Sequence, residues 1–99
     1  MRINIKLYGH LPDLAGRHEF NLDVKEPTVK SLLEAIKASC PQRFVSAVMD
    51  SEYDPPELMV LAVIDGMPIF YGQGLNTPLK DGSEVILMPA LAGGTQNKN

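Results

Sequence analysis

The stretch from Pro27 to Pro41, PTVKSLLEAIKASCP, carries the clearest secondary-structure pattern in the sequence. Thr28 is suited to cap a helix, because its hydroxyl can accept a hydrogen bond from a backbone N–H of the first turn. Apolar side chains then recur at i, i+3, i+4 and i+7, which is one face of a helix. These residues are Val29, Leu32, Leu33 and Ile36. Because Pro41 disfavours helical geometry at the residue before it, the stretch predicts one amphipathic helix over residues 28–39.

Two segments with alternating apolar and polar residues precede this helix, over residues 2–7 and 18–24. A period of two indicates a strand with one buried face. The inward-facing residues are Ile3, Ile5 and Leu7 in the first segment, and Phe20, Leu22 and Val24 in the second. Residues 9–17 carry Gly, Pro and Asp and are interpreted as a loop. The two segments therefore predict a hairpin.

Shorter elements follow the helix. Residues 42–50 predict a second, short helix with Phe44, Val45 and Val48 directed inward. Residues 50–57, DSEYDPPE, are interpreted as a polar loop. Residues 58–70, LMVLAVIDGMPIF, predict a buried strand, a type I′ turn at Asp65-Gly66 and a short return strand.

The last predicted strand lies within Lys80–Pro89, KDGSEVILMP, and is apolar on both faces. One face carries Val85 and Leu87, and the other carries Ile86 and Met88. Such a strand is typical of the centre of a sheet. We expect the core to combine residues of the helix with residues of the strands. These are Leu32, Leu33 and Ile36 of the helix, Ile5, Phe20 and Val63 of the strands, and either Val85 or Leu87 of the last strand.

The order of elements predicts an α+β protein of the β-grasp (ubiquitin-like) class. A mixed sheet of four or five strands would pack on one main helix. The expected organisation is one domain over residues 1–92, followed by a flexible Gly-Gly tail with a polar extension over residues 93–99.

Three segments resemble the ThiS and MoaD sulfur carriers, the latter being the small subunit of molybdopterin synthase. PTVKSLLEAI, from Pro27, is similar to the start of the family's helix, and VLAVIDG, from Val60, to the strand before its internal turn. LKDGSEVILMPALAGG, from Leu79, is similar to the family's ending: Asp-Gly, an acidic residue, an apolar strand, Pro and Gly-Gly. The resemblance covers residues 1–94, and the ending is the most specific segment.

The resemblance implies a carrier that is not itself an enzyme and binds no cofactor. A partner adenylating enzyme, similar to MoeB or ThiF, would use ATP to activate the carboxylate of Gly94, which would become a thiocarboxylate. Gly93 and Gly94 would thread a narrow channel, because glycine has no Cβ. The implied docking residues are Ile86, Met88, Pro89 and Leu91. For Ile86 and Met88, plain core packing is the alternative. The expected sulfur acceptors include the large subunit of molybdopterin synthase or a thiazole synthase.

The sequence departs from the family where Thr95–Asn99 follows Gly94. The carbonyl of Gly94 is then an amide, which has no free carboxylate to attack ATP. Three interpretations stay open. The chain is a precursor cut between Gly94 and Thr95 by a processing peptidase, or a ubiquitin-like modifier whose Gly94 joins a lysine, or an interaction module that does not conjugate.

Composition excludes several other classes of protein. The 99 residues carry a formal net charge of −3 and no basic cluster, which disfavours nucleic-acid binding. No apolar run is long enough to span a bilayer, so a cytoplasmic protein is expected. Cys40 is interpreted as a half-buried helix-end residue, and no metal site is expected. His10 and His18 are interpreted as surface residues, and the tyrosines, Tyr8, Tyr53 and Tyr71, as packing residues.

Overall fold

The computed structural model describes residues 1–53, 56–69, 74 and 76–89. In chain order the elements are β1 (Arg2–Leu7), α1 (Leu11–Ala15), β2 (Glu19–Asp23), α2 (Val29–Ser39), α3 (Gln42–Val48), β3 (Met49–Asp50), β4 (Glu57–Leu58), β5 (Leu61–Ile64), β6 (Met67–Ile69) and β7 (Glu84–Met88).

The main sheet has five strands in the order β2-β1-β7-β5-β6. β1 and β2 form the predicted antiparallel hairpin. β7 pairs in parallel with β1 and antiparallel with β5, so the sheet is mixed and β7 is the central strand that its two apolar faces predicted. Together with α2, this sheet is the predicted β-grasp arrangement.

The helix α2 begins and ends where the sequence predicts. The Thr28 hydroxyl accepts a hydrogen bond from the backbone N–H of Ser31 at 3.2 Å. Cys40 leaves helical geometry with φ −108° and ψ 159°, as expected for a residue that precedes proline. The predicted apolar stripe of α2 is buried in full. The helix therefore packs on one face of the sheet, and no helix of the described residues packs over the other, which we call the open face.

The core differs from the prediction at β5. Val63 is half-buried, whereas its neighbours Ala62 and Ile64 are buried. All four residues of β5 are apolar, so alternation could not show which pair faces α2. On β7 the prediction expected either Val85 or Leu87 to be buried, and both are. Both inward residues of β7 therefore belong to the hydrophobic core.

Two segments interpreted as loops contain regular structure. Residues 9–17 include the helix α1, which starts with Pro12 in its first turn and ends at Gly16 with φ 84°. Proline is tolerated in the first turn of a helix, and glycine adopts the left-handed conformation after the last turn, so both residues are compatible with a helix. The polar segment 50–57 is bounded by the two-residue strands β3 and β4.

The remaining predictions after α2 are confirmed. Residues 42–48 form a helix, and its three predicted inward residues are buried: Phe44, Val45 and Val48. The ring of Phe44 meets that of Phe20 edge-to-face, with centroids 6.3 Å apart. Asp65 and Gly66 have φ 49° and 88°, which is the type I′ geometry of a tight hairpin.

Candidate functional site

The open face of the sheet carries an apolar patch over β5, β6 and β7. Successive residues of a strand point to opposite faces, so Ile86 and Met88 point away from the core in which Val85 and Leu87 are buried. Directly paired residues share a face. Val63 pairs with Ile86 and with Pro68, and Leu61 pairs with Met88. We call this set the open-face patch: Leu61, Val63, Pro68, Ile86 and Met88.

The residues of the open-face patch are half-buried or exposed although no described element packs over them. Ile86 and Met88 therefore do not belong to the core between α2 and the sheet. Contiguous apolar residues on an open sheet face are characteristic of a surface that binds a partner.

Tyr8 extends this surface at the end of β1. Its backbone N–H donates to the carbonyl oxygen of Leu87 at 3.1 Å, which continues the pairing of β1 with β7 by one residue. The alternation of β1 puts Tyr8 on the same face as Lys6, beside Met88. Its side chain is 50 % exposed. The interpretation of Tyr8 as a packing residue is therefore wrong, and Tyr53, 58 % exposed, does not fit it either.

A polar border separates the open-face patch from the hairpin edge. The Lys6 ammonium lies 2.8 Å from the Glu84 carboxylate, and this pairing raises the pKa of Lys6. Further along, Asn4 donates to the Glu19 carboxylate at 2.9 Å. The open face is thus apolar over β5 and the end of β7, and charged over β1 and β2. A partner that covers the patch would meet the Lys6–Glu84 ion pair on the side of β1.

Pro89, which precedes the C-terminal segment and which we call the tail root, is held beside the open-face patch. Pro89 follows β7 and is half-buried against Gly9. A Cβ atom on Gly9 would lie 2.8 Å from two ring carbons of Pro89, and Gly9 has φ +66°, so this contact requires glycine for space and for conformation. The chain therefore leaves the sheet immediately next to Met88. Leu91, Gly93, Gly94 and Thr95 lie outside the described residues.

A hydrogen-bonded turn fixes the other end of β7. The Asp65 carboxylate accepts from the Ser83 hydroxyl at 2.8 Å and from the Glu84 backbone N–H at 2.9 Å. These two bonds lower the pKa of Asp65. Because Asp65 also forms the β5–β6 turn, the contact ties β5 to the start of β7. It thereby holds the register that places Val63 beside Ile86.

Other candidate groups do not join the site. Cys40 is half-buried at the end of α2, as predicted, and burial raises the pKa of its thiol, which disfavours the reactive thiolate. His10 and His18 are exposed, as predicted. Within the described ranges no group of three or more His, Cys, Asp or Glu residues could hold a metal ion. Across those same ranges, no helix has the length and apolar character to cross a membrane.

Of the residues on and beside this surface, Ile86, Met88 and Pro89 were predicted from the sequence, and their role in docking stays a prediction. Pro68 was not among them. Sequence reasoning missed Tyr8, although the alternation of residues 2–7 could be extended to it. It also missed Leu61 and Val63, since the phase of β5 cannot be read from four consecutive apolar residues.

The comparisons with known proteins support the family resemblance and the fold. The sequence matches the ThiS family over residues 5–94. No curated protein matches the chain. The crystal structure of SAMP1 from Haloferax volcanii superposes with a TM-score of 0.73 at 25 % identity, covering 95 % of this chain and 100 % of that one.

Two further solved structures are similar. A putative molybdopterin converting factor, subunit 1, from Pyrococcus furiosus has a TM-score of 0.67 at 25 % identity and covers 92 % of this chain and 99 % of its own. A complex of subunits 1 and 2 of molybdopterin-converting factor from Helicobacter pylori has a TM-score of 0.53 at 20 % identity. The match covers 95 % of this chain and 100 % of the matched chain. The latter likeness concerns the fold alone.

Proposed function

Because the chain belongs to the ThiS family, we propose that it is a sulfur carrier that acts through the carboxylate of Gly94 once Thr95–Asn99 has been removed. The observation that supports this most strongly is the family match, which extends through Gly94. The open-face patch supports it independently, because a docking surface beside the tail root is what a carrier needs.

The proposed chemistry is acyl activation followed by sulfur transfer. A carboxylate is a poor electrophile, so the partner enzyme joins Gly94 to the AMP part of ATP and releases pyrophosphate. A sulfur donor then attacks the acyl carbon, AMP leaves, and Gly94 ends as a thiocarboxylate. This chain supplies the carboxylate and the docking surface. The adenylating enzyme, of the MoeB or ThiF kind, binds the ATP, so no cofactor is assigned to the carrier.

The open-face patch has an energetic role in this proposal. Ordering each tail residue in a channel costs about 1–2 kcal/mol of backbone entropy. Burying apolar surface contributes about 25 cal/mol per Å², so contacts at Met88, Ile86 and Tyr8 can offset the ordering of the tail. Because Pro89 is held against Gly9, the tail starts from a fixed point close to those contacts.

The experiment compares the full chain with a chain that ends at Gly94. Each is incubated with the cognate adenylating enzyme, ATP and a sulfur source, and its intact mass is measured. We expect the shorter chain to exchange one carboxylate oxygen for sulfur and the full chain to stay unchanged at Gly94. An inert shorter chain in the presence of a verified cognate enzyme would overturn the carrier function and leave the non-conjugating interaction module.

A ubiquitin-like modifier is the second candidate function. It is favoured by the likeness to SAMP1, which is described as a small archaeal modifier protein. To distinguish the two, a tagged chain ending at Gly94 is isolated from its native cell and examined by mass spectrometry. An isopeptide bond between Gly94 and a lysine of another protein indicates a modifier, whereas a free thiocarboxylate indicates a carrier.

The processing step and the acceptor also belong to this proposal. A peptidase that cuts between Gly94 and Thr95 exposes the reactive carboxylate. The likeness to subunit 1 of molybdopterin converting factor favours the large subunit of molybdopterin synthase as the sulfur acceptor, and a thiazole synthase is the alternative. The intact mass of the protein from its native cell shows where the mature chain ends.

A further inference from the structure

The outer edge of β2 presents unpaired backbone groups. Met1 and Val24 exchange two backbone hydrogen bonds, at 3.0 and 2.8 Å, and Leu7 donates to His18 at 2.9 Å. Hydrogen-bonded and non-bonded pairs alternate along an antiparallel ladder. The N–H and C=O groups of Glu19, Asn21 and Asp23 therefore point away from β1, and no backbone group of the described residues bonds to them.

A groove lies beside this edge. It has a volume of about 320 Å³ and lies at the Asp23 end of the strand. Its lining comprises Asp23 and the basic Lys25 just after β2, and, on α2, Ser31, Glu34, Ala35, Ala38 and Ser39. Ala35 and Ala38 are three residues apart and so share a face of the helix. Their small side chains leave room next to the strand, which is what an added strand requires for its inward-facing side chains.

The charges along β2 decide what can occupy this edge. Glu19, Asn21 and Asp23 lie in one row on the open face, and all three are exposed. A second copy of β2, paired antiparallel about Asn21, would place Glu19 opposite Asp23 at both ends. Like charges directly opposite one another are destabilising, so the row disfavours self-pairing. Arg2 and Asn4 reach these carboxylates only from the β1 side.

We infer that the β2 edge binds an extended segment of a partner protein as a sixth strand. The fitting segment carries basic residues at alternate positions, facing Glu19 and Asp23, with β-branched apolar residues between them facing Ala35 and Ala38. Backbone hydrogen bonds to an exposed edge provide affinity, and the alternating side chains provide specificity. β1 separates this edge from the open-face patch, so the inference is independent of Gly94 and of the proposed sulfur chemistry.

The test uses the full chain labelled with ¹⁵N and two palindromic peptides, which present the same row in either strand direction. One is acetyl-Ser-Lys-Val-Thr-Val-Lys-Ser-amide, and in the other glutamate replaces both lysines. We expect the lysine peptide to cause saturable NMR shifts at residues 19–23. The amide N–H groups of Glu19, Asn21 and Asp23 should also exchange more slowly with solvent. The glutamate peptide should bind more weakly, and added salt should reduce the difference.

Two matched variants distinguish binding through backbone hydrogen bonds from non-specific binding of the peptide. Proline is tolerated on an edge strand where its missing N–H would face solvent, so Asn21→Pro removes the central donor without removing a backbone hydrogen bond to β1. Like Asn21→Thr, it loses the 3.4 Å side-chain contact that Asn21 accepts from Asn4. Asn21→Thr keeps that donor and loses the same side chain. We expect Asn21→Thr to bind as the parent does, and Asn21→Pro to bind about tenfold or more weakly, which corresponds to the loss of about one hydrogen bond.

A double variant keeps the test decisive if Asn21→Pro does not fold. Glu19→Gln with Asp23→Asn preserves size and removes both charges, so the lysine and glutamate peptides should then bind equally. Four results would overturn the inference: no saturable shift up to about 1 mM peptide, shifts that map to the open-face patch, equal binding by Asn21→Pro and Asn21→Thr, or shifts at β2 that depend on protein concentration without peptide.

Discussion

At the scale of single residues, Asp65 combines a turn conformation with a charge-assisted contact. Its backbone has φ 49°, which asparagine tolerates as well as aspartate. Its carboxylate accepts from Ser83 and from the Glu84 N–H, and these bonds lower its pKa. Asp65→Asn therefore retains the turn and one acceptor oxygen but removes the charge.

We expect Asp65→Asn to lower the free energy of unfolding at pH 7 by about 0.5–1 kcal/mol, the low end for such a contact because the side chain is exposed. A carboxylate whose folded pKa is depressed stabilises the protein above its unfolded pKa, near 3.8, and loses this effect as the pH falls through the folded pKa. The difference in the free energy of unfolding between parent and variant should thus disappear as the pH is lowered below about 4. Urea unfolding at pH 7, 5 and 3 measures it, and a gap that stays constant with pH would contradict the assignment.

At the scale of elements, the helix α2 carries the core. Leu33 is 1 % exposed and lies in the buried stripe, whereas the adjacent Glu34 is exposed. Leu33→Ala should reduce the free energy of unfolding by about 2–5 kcal/mol, the range for truncating a core leucine. Glu34→Ala is the matched control, because it makes the same alanine in the same helix, and it should change stability by about 0.5 kcal/mol at most. Equal effects of the two variants in urea unfolding would show that the stripe does not determine stability.

The elements also show what could be predicted from sequence. Residues 2–7 and α2 were predicted correctly because their polar residues show which face is exposed to solvent. In β5 no polar residue interrupts the apolar run, so the prediction placed Val63 in the core and missed its part in the open-face patch. The helix α1 was missed because Pro12 and Gly16 are ordinary loop residues, and only their positions at the two ends of a short helix make them compatible with it. The alternation of residues 2–7 can be extended to give the face on which Tyr8 lies, but its position beside Met88 depends on the pairing of β1 with β7.

At the scale of the whole molecule, docking and tail chemistry are separate parts of the proposed function. The open-face patch would bind the adenylating enzyme, whereas Gly93 and Gly94 would enter its channel. In the chain ending at Gly94, Met88→Ala should therefore weaken binding by at least about 2 kcal/mol, as expected for an interface anchor. Met59→Ala is the matched control, because Met59 is 44 % exposed and lines a groove with residues of α3 and β3 that includes no residue of the open-face patch. It should bind as the parent does.

Gly93→Ala, made in the same Gly94-ended chain, should show the opposite pattern. The folded surface is unchanged, so the dissociation constant measured by calorimetry should stay close to that of the parent. The added methyl group would overfill a close-fitting channel, at a cost of about 1–3 kcal/mol by analogy with overpacked cores. This corresponds to about a tenfold to hundredfold loss in the rate of thiocarboxylate formation. If Met88→Ala lowered the rate without weakening binding, or Gly93→Ala weakened binding as much as Met88→Ala does, docking and threading would not be separable. The proposal that the sheet face binds the partner while the glycines enter its channel would then be wrong.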